Sequence, residues 1–281
     1  MSMEARRSCS DDWLAIEALN ERAHRTLPRL WWWEEHLTDA PFIVVEREGV
    51  IVGALFAWPD ESPVAWVRLA ALDDGLDVDE WLDLALPLVL DGLRSRRTRA
   101  LAWMEYGDWA RPYLQVRGFR PLTEVITLAK SDHALPDTSG ADARLRPASN
   151  ADVPAVVAVD RAAFTPHWWH SEATMRRRAA TSSHFAVAEV AGEVVGYAEG
   201  ELRRDQEHVA AHLNRIAVRP AHQGHGIGAS LLRDALRAFW KHGAERVTLN
   251  TQTNNRYSQR LYRRFGFEPV GDLMTAWELQ L

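Results

Sequence analysis

The sequence predicts an α+β, layered fold built in two tandem copies, and three observations predict it. The 281-residue chain is self-similar, with Phe42 and its neighbours returning at Phe185. The later copy switches between strand-like alternation and helical periodicity in the order β-α-α-β-β-β-α-β-α-β. Within it a glycine-rich bend, His222-Gln-Gly-His-Gly-Ile-Gly-Ala-Ser230, joins a short apolar strand to an amphipathic helix.

The repeat rests on landmarks that keep their order. Phe42-Ile-Val-Val-Glu46, running through Gly49 to Val52-Gly53, matches Phe185-Ala-Val-Ala-Glu189, running through Gly192 to Val195-Gly196. Both read as β-hairpins, apolar alternation on either side of a glycine turn. Arg6 with Asp12 parallels Arg146 with Asp152, and Pro28 with Trp31 parallels Pro166 with Trp169. Arg68-Leu-Ala parallels Arg215-Ile-Ala, and Gly118-Phe119 parallels Gly266-Phe267. Between the copies, residues 131–142 are polar and rich in turn formers, so they read as a linker between domains at 1–130 and 143–281. Each domain is long enough to bury its own core.

In the second domain a strand is expected from Ala143 to Arg146, then a helix from near Asp152 with Pro154 in its first turn, where a missing N–H costs nothing. The hairpin at Phe185 follows, then a strand from His212 to Val218. Beyond the glycine bend, Leu232, Ala235, Leu236 and Phe239 share one helical face, and Gly243 ends that helix. A strand at 246–251 leads to a helix carrying Ser258, Leu261, Tyr262 and Phe265 on one side, stopped by Gly266. Met274 to Leu281 supplies the last strand.

Composition narrows the class. One cysteine, Cys9, excludes an internal disulfide and a cysteine-based zinc cluster, which suits a reducing cytoplasm. The spacing of His222 and His225 does not argue for a metal. No apolar run approaches the ~20 residues of a membrane span, and the opening Met-Ser-Met-Glu-Ala-Arg-Arg lacks the apolar segment of a secretory signal. The expectation is therefore a cytoplasmic protein without a membrane partner. From Arg144 onward 18 basic residues face 14 acidic ones, a net of +4, while residues 1–143 carry 15 against 25, a net of −10. The half holding the glycine bend is the half that attracts a polyanion. Nucleic acid is not the expected partner, because the basic residues are scattered and the whole chain carries −6.

The bend describes an anion cradle. Glycines let the backbone turn tightly, and the opening N–H groups of the following helix have no internal acceptors. Those donors and the positive end of the helix dipole favour a phosphate, the dipole alone by ~1 kcal/mol. No Gly-Lys-Ser/Thr follows, so it is not a P-loop. Nor does the strand Arg246-Val-Thr-Leu-Asn250 end in the acid of a dinucleotide fold.

The residues resemble instead the acetyl-CoA-binding core of the GCN5-related N-acetyltransferases, the GNAT superfamily. Gln223-Gly224-His225-Gly226-Ile227-Gly228 fits its Gln/Arg-x-x-Gly-x-Gly/Ala signature. Asn255 through Leu261-Tyr262 to Gly266-Phe267 fits its Asn-x-x-Ala-x-x-Leu-Tyr-x-x-x-Gly-Phe, with Ser258 in place of Ala. The resemblance implies two tandem GNAT domains, each a mixed, mostly antiparallel sheet flanked by helices.

It also implies an N-acetyltransferase that moves an acetyl group from acetyl-CoA to a primary amine of a small molecule or peptide. Main-chain groups of Ile216, Ala217 and Val218 would hold the pantetheine arm, and Gly224 to Ala229 the pyrophosphate, with Gln223, Asn255 and Ser258 on the cofactor side. Tyr262 stands where the family's general acid stands. The base stays open: His212 has a suitable ordinary pKa of about 6.5 but reads equally as a hydrogen-bonded strand histidine, while Glu199 and Glu201 offer carboxylates acting through water or binding a cationic substrate. Trp168, Trp169 and His170 lie in the region forming the acceptor-side wall, and Asn214 is placed on the same strand face as His212. Trp31-Trp-Trp33 repeats the aromatic run in the first domain.

The first copy lacks the cradle. Alignment puts Leu76-Asp-Val-Asp-Glu-Trp81 opposite Gln223 to Gly228, Leu114 opposite Tyr262 and Gly107 opposite Asn255. It reads as a degenerate domain. The alternatives are a RimI-like acetyltransferase of protein N-termini, against which stands Asn250 at the position of that group's glutamate, and a non-catalytic acyl-CoA sensor.

Overall fold

A computed structural model describes residues 3–27, 36–38, 41–137, 142–204 and 208–281. Pro28, Trp31 to Trp33 and part of the expected linker lie outside the described residues. The chain forms two compact units: residues up to Thr123 together with Met274–Leu281, and Glu124–Leu273. Among the described residues no helix is long and apolar enough to cross a membrane.

The first sequence half supplies β1 (Met3–Arg7), α1 (Trp13–Arg22), β2 (Arg25–Thr26), β3 (Phe42–Arg47), β4 (Val50–Trp58), β5 (Val64–Leu72), α2 (Val78–Ser95), β6 (Ala100–Met104), α3 (Arg111–Val116) and β7 (Arg120–Lys130). The second supplies β8 (Arg144–Pro147), α4 (Val153–Ala163), α5 (Glu172–Thr181), β9 (His184–Val190), β10 (Glu193–Arg204), β11 (Val209–Val218), α6 (Ile227–Lys241), β12 (Arg246–Gln252), α7 (Arg256–Arg264) and β13 (Glu268–Gln280). The second series keeps the expected element order.

Within the second unit the strands lie in the order β8-β9-β10-β11-β12-β7, and only β11 and β12 are parallel. The first unit repeats the plan as β1-β3-β4-β5-β6-β13, with only β5 and β6 parallel. Both faces of each sheet are covered. In the second unit Leu232, Ala235, Leu236 and Phe239 of α6 pack on Val195, Ala198 and Leu213, while Val153 and Val156 of α4 sit with Val187, Tyr197 and Ala217. Burial of this apolar surface is the main favourable term, at roughly 25 cal/mol per Å².

The sequential boundaries at 130 and 143 do not match these units. The closing strand of each half completes the sheet of the other: β7 pairs with β12, Val247 opposite Lys130, and β13 pairs with β6, Trp277 opposite Trp103. Buried side chains fix each placement. Trp277 Nε1 donates to Glu105 Oε2 at 2.8 Å, and the Lys130 ammonium, itself almost fully enclosed, lies 5.9 Å from the ring centroid of Trp240 on α6.

The repeat seen in sequence is also a repeat of interactions. Arg146 donates to Asp152 Oδ1 at 2.6 Å and to Glu189 Oε1 at 2.8 Å, tying the first strand, the first helix start and the hairpin together. Asp152 Oδ2 in turn accepts the Ser149 N–H at 2.8 Å. Arg6 makes the same pair of contacts with Asp12 and Glu46, and Cys9 supplies the N–H that Ser149 supplies later. Both hairpin turns place their two central residues at positive φ, Glu48-Gly49 and Ala191-Gly192, as a tight turn between twisted strands requires.

Two outcomes follow. Deleting Met274–Leu281 removes the β6 partner and the Trp277–Glu105 bond, so the first unit should lose protection from proteolysis well before the second, as peptide mapping would show. Arg146 holds the Asp152 carboxyl well below the usual carboxylate range, so its stabilisation is present above that range and is lost only as pH falls through the lowered value. Asp152→Asn should cost about 1–3 kcal/mol at neutral pH, with the gap to the parent narrowing below pH ~4 in chemical denaturation.

Candidate active site

The site begins with a fork in the sheet. β11 and β12 pair in parallel from Ala210–Arg246 to Leu213–Leu249, and their register ends there. On the other side of β11 the register slips: Leu213 faces Gly200 and Arg215 faces Glu199, so Asn214 is an extra residue, a β-bulge. The bulge turns Leu213 toward the α6 core but Arg215 and Ala217 toward α4. Beyond it, Ile216 to Val218 stay paired with β10 on one side and border open space on the other, where β12 has parted from them.

Two cavities occupy the fork. The larger, about 540 Å³, runs from Ile216–Val218 past Gly224, Gly226, Gly228 and Ala229 to Asn255 and Tyr262. The smaller, about 210 Å³, is walled by Trp168, Asn214, Arg215, Asn250 and Gln252. Phe164, Ile216, Asn255, Ser258 and Tyr262 belong to both. A molecule filling the larger space brings its end to the mouth of the smaller one.

The glycine bend does what its composition suggests. Gly224 and Gly226 sit at φ of 83° and 79°, the left-handed region that side chains resist. Gly226 is the N-cap of α6 and brings no capping side chain, so the first N–H groups of that helix keep their donors for a ligand. Gln223 closes the loop by donating to the Val218 carbonyl at 2.9 Å while lining the larger cavity. His225 is exposed and Ile227 is buried in the core, and neither side chain lines the cavity.

Asn255 caps α7, its side chain accepting the Ser258 N–H at 3.1 Å. One turn on, Tyr262 is 5% exposed, and burial pushes its phenol up to about 12 against a hydrogen bond from Ser258. The ring packs edge-on to Phe267 at 5.9 Å between centroids. Packing and placement therefore coincide: the phenol is protonated near neutrality and stands at the junction of the two cavities.

The basic and acidic candidates on β10 and β11 fare differently. His212 pairs with Thr248 through Nδ1 and Oγ1 at 2.8 Å, burial lowers its pKa, and it lines neither cavity. Asn214 shares its face with His212, both lying on the side of Glu199 and Glu201, and the bulge reverses the alternation only beyond it. Glu201 bonds Arg203 and is likewise outside both cavities. Glu199 is buried, with Arg178 and Ser182 each at 2.6 Å and Asn214 at 2.9 Å; it touches the smaller cavity only through Asn214.

Of the aromatic run, Trp168 lines the smaller cavity, whereas Trp169 and His170 hold the loop: Trp169 Nε1 donates to the Phe164 carbonyl at 2.9 Å and the His170 N–H to Asp160 at 3.1 Å. Asp160, fully buried, also takes Arg215 Nε at 2.9 Å and the Tyr197 hydroxyl. The same guanidinium donates to the Trp168 carbonyl and stacks 3.8 Å from the Phe164 ring centroid. Sequence reasoning missed Phe164, and also Tyr257, Arg260 and Arg264 on α7. The three on α7 had a signal, their i, i+3, i+7 spacing beside Tyr262; Phe164 had none.

In the first unit the corresponding helix is built differently. Residue-by-residue alignment put Asp77 opposite Gly224, but α2 starts at Val78 as α6 starts at Ile227, so Asp77 stands at Gly226. Its carboxylate accepts the Glu80 N–H at 3.0 Å, using a donor that Gly226 leaves free. Trp81 is fully buried against Gly53 and lies 6.4 Å from Trp109 between ring centroids, filling the space beside the helix start. Arg117, from the end of α3, clasps Asp79 at 2.7 Å and Asp83 at 2.5 Å across the same opening.

Comparison with known proteins gives the family. Residues 154–267 match the model of the acetyltransferase (GNAT) family. An N-alpha-acetyltransferase of Sulfurisphaera tokodaii is 30% identical over 143 residues, 47% of this chain and 83% of the relative. The N-alpha-acetyltransferase RimI of Mycobacterium tuberculosis is 36% identical over 103 residues, 37% of this chain and 63% of the relative. Over the whole length the fold is similar to a tandem GNAT protein from the clavulanic acid biosynthesis pathway, with a TM-score of 0.68, 16% identity, and 99% and 98% of the two chains covered. The chain belongs to the acetyltransferase (GNAT) family and is an acyltransferase of that type.

Gly226→Val should strain the left-handed cap by ~1–2 kcal/mol. It should also weaken coenzyme A binding at least about tenfold if the free N–H groups hold its phosphates; titration calorimetry measures the second effect.

Proposed function

We propose that the second unit transfers an acetyl group from acetyl-CoA to a primary amine of a small molecule or peptide by direct attack. The observation that carries this reading is the meeting of the two cavities at Tyr262. The larger one suits the cofactor. Its volume lies in the range of ligand pockets, its lining among the described residues includes Arg260 and Arg264 with no carboxylate, and the α6 donors face it. The thioester supplies the activated acetyl carbonyl.

The chain's own residues supply the rest. Main-chain groups of Ile216 to Val218 align the pantetheine arm and polarise the carbonyl, and Gly224 to Ala229 hold the pyrophosphate. The amine nitrogen bonds to the carbonyl carbon and the carbon–sulfur bond breaks. Tyr262 gives its proton to the departing thiolate and recovers one from solvent, which takes the surplus proton of the amine. Among the described residues neither a carboxylate nor an imidazole lines the smaller cavity, and on this reading the amine arrives uncharged. The first unit, with a capped helix and an aromatic filling, serves as a scaffold without a cofactor. The curated relatives are named for N-alpha acetylation, which makes a protein N-terminus the second acceptor to test.

Tyr262→Phe should lower kcat by about 10²-fold or more with coenzyme A affinity unchanged; unaltered turnover removes the tyrosine from the mechanism. The kcat/KM profile should rise with pH toward the pKa of the acceptor amine and keep that shape in His212→Ala. A limb that disappears in that variant would restore the histidine as base. Calorimetry should count one coenzyme A per chain, and two would give the first unit a working site.

A further inference from the structure

The smaller cavity presents two side-chain amides at the point where β11 and β12 part. Asn214 and Asn250 each follow the last paired residues, Leu213 and Leu249, and both line the cavity. Their orientations are set from behind. Asn214 Nδ2 donates to Glu199 Oε1 at 2.9 Å, and an ionised carboxylate accepts only, so the Oδ1 of Asn214 is the end left for a ligand. Asn250 Oδ1 accepts the Thr127 hydroxyl at 2.9 Å, which leaves its Nδ2 as a donor. The cavity thus offers one fixed acceptor and one fixed donor side by side.

Resting on the acetyl-transfer reading, we infer that Asn214 and Asn250 select an acceptor whose amine is next to a neutral carbonyl, an α-aminoacyl amide. The amine N–H donates to Asn214 Oδ1, and the carbonyl oxygen accepts from Asn250 Nδ2. A carboxylate in place of the amide has no free cation to meet. Arg215, the one charged residue lining this cavity among the described residues, is committed to Asp160 and to the Trp168 carbonyl. A plain alkylamine leaves Asn250 without a partner. Discrimination by a polar group built to be satisfied exceeds that by apolar fit. Glu199 and Thr127 are positioning residues, acting through the two amides.

The experiment is thiol release from acetyl-CoA by the full chain with four acceptors: alaninamide, an alanine-initiated tripeptide amide, free alanine, and sec-butylamine, each compared at equal free-base concentration. The expected result is that kcat/KM for alaninamide exceeds that for sec-butylamine and for alanine by about tenfold to a hundredfold. The tripeptide arm separates a small amide from a peptide as the natural source. In Asn250→Leu the ratio of alaninamide to sec-butylamine should fall to near one, with coenzyme A binding by calorimetry confirming a folded site. Thr127→Val, which removes the orienting hydroxyl, should lower the same ratio in part. Equal kcat/KM for alaninamide and sec-butylamine in the parent, or an unchanged ratio in Asn250→Leu, overturns the inference while leaving acetyl transfer intact. No thiol release with any acceptor overturns both.

Discussion

The parting of β11 from β12 after Leu213 and Leu249 is the constraint on which the rest of the second unit depends. Main-chain groups removed from water need partners, and Ile216 to Val218 pair with β10 on one side but, among the described residues, have no strand on the other. The fork is kept open by local means. An extra residue at Asn214 bends β11, and the glycine bend that follows returns the chain as α6 with its first N–H groups facing the same space. A cavity that leaves backbone donors and acceptors available is thereby a consequence of how two strands diverge.

An open fork needs walls that do not collapse into it, and a buried charge network provides one. Removing Asp160 and Arg215 from water is costly, and such a pair is sustained only when its remaining hydrogen-bonding capacity is filled. Here Asp160 takes Arg215, the Tyr197 hydroxyl and the His170 N–H, and Arg215 adds the Trp168 carbonyl and the Phe164 face. Burial beside Asp160 holds the Tyr197 phenol far above its ordinary pKa, so it stays a donor. The network joins α4, the loop after it and β11, and so sets Phe164 and Trp168 at the cavity walls.

The two units differ little except at the start of the helix that follows their third long strand. Both have the same strand order, the same single parallel pair and the same arginine-centred ion cluster at the first helix. They differ where the second has Gly226 and the first Asp77. A capping carboxylate stabilises its helix by ~1 kcal/mol but uses the donor that an anion needs. Indoles of Trp81 and Trp109 and the Arg117 clasp then fill what remains.

Much of this was legible in the chain. Gly224, Gly226, Gly228, Asn255 and Tyr262 announce themselves because local requirements, a positive φ, a helix cap, an i, i+7 spacing, are written in adjacent residues. Which residues face the cavity beyond them was not. His212, readable as a base by spacing, ends on Thr248, its register partner on β12, and a single bulge at Asn214 reverses the alternation beyond it, with Glu199 behind Asn214 as its anchor. The exchange of β7 and β13 was equally hidden, because strand pairing uses main-chain groups common to every residue. Buried fits between residues distant in sequence, Trp277 to Glu105 and Lys130 beneath the Trp240 ring, go with the sheet each strand completes.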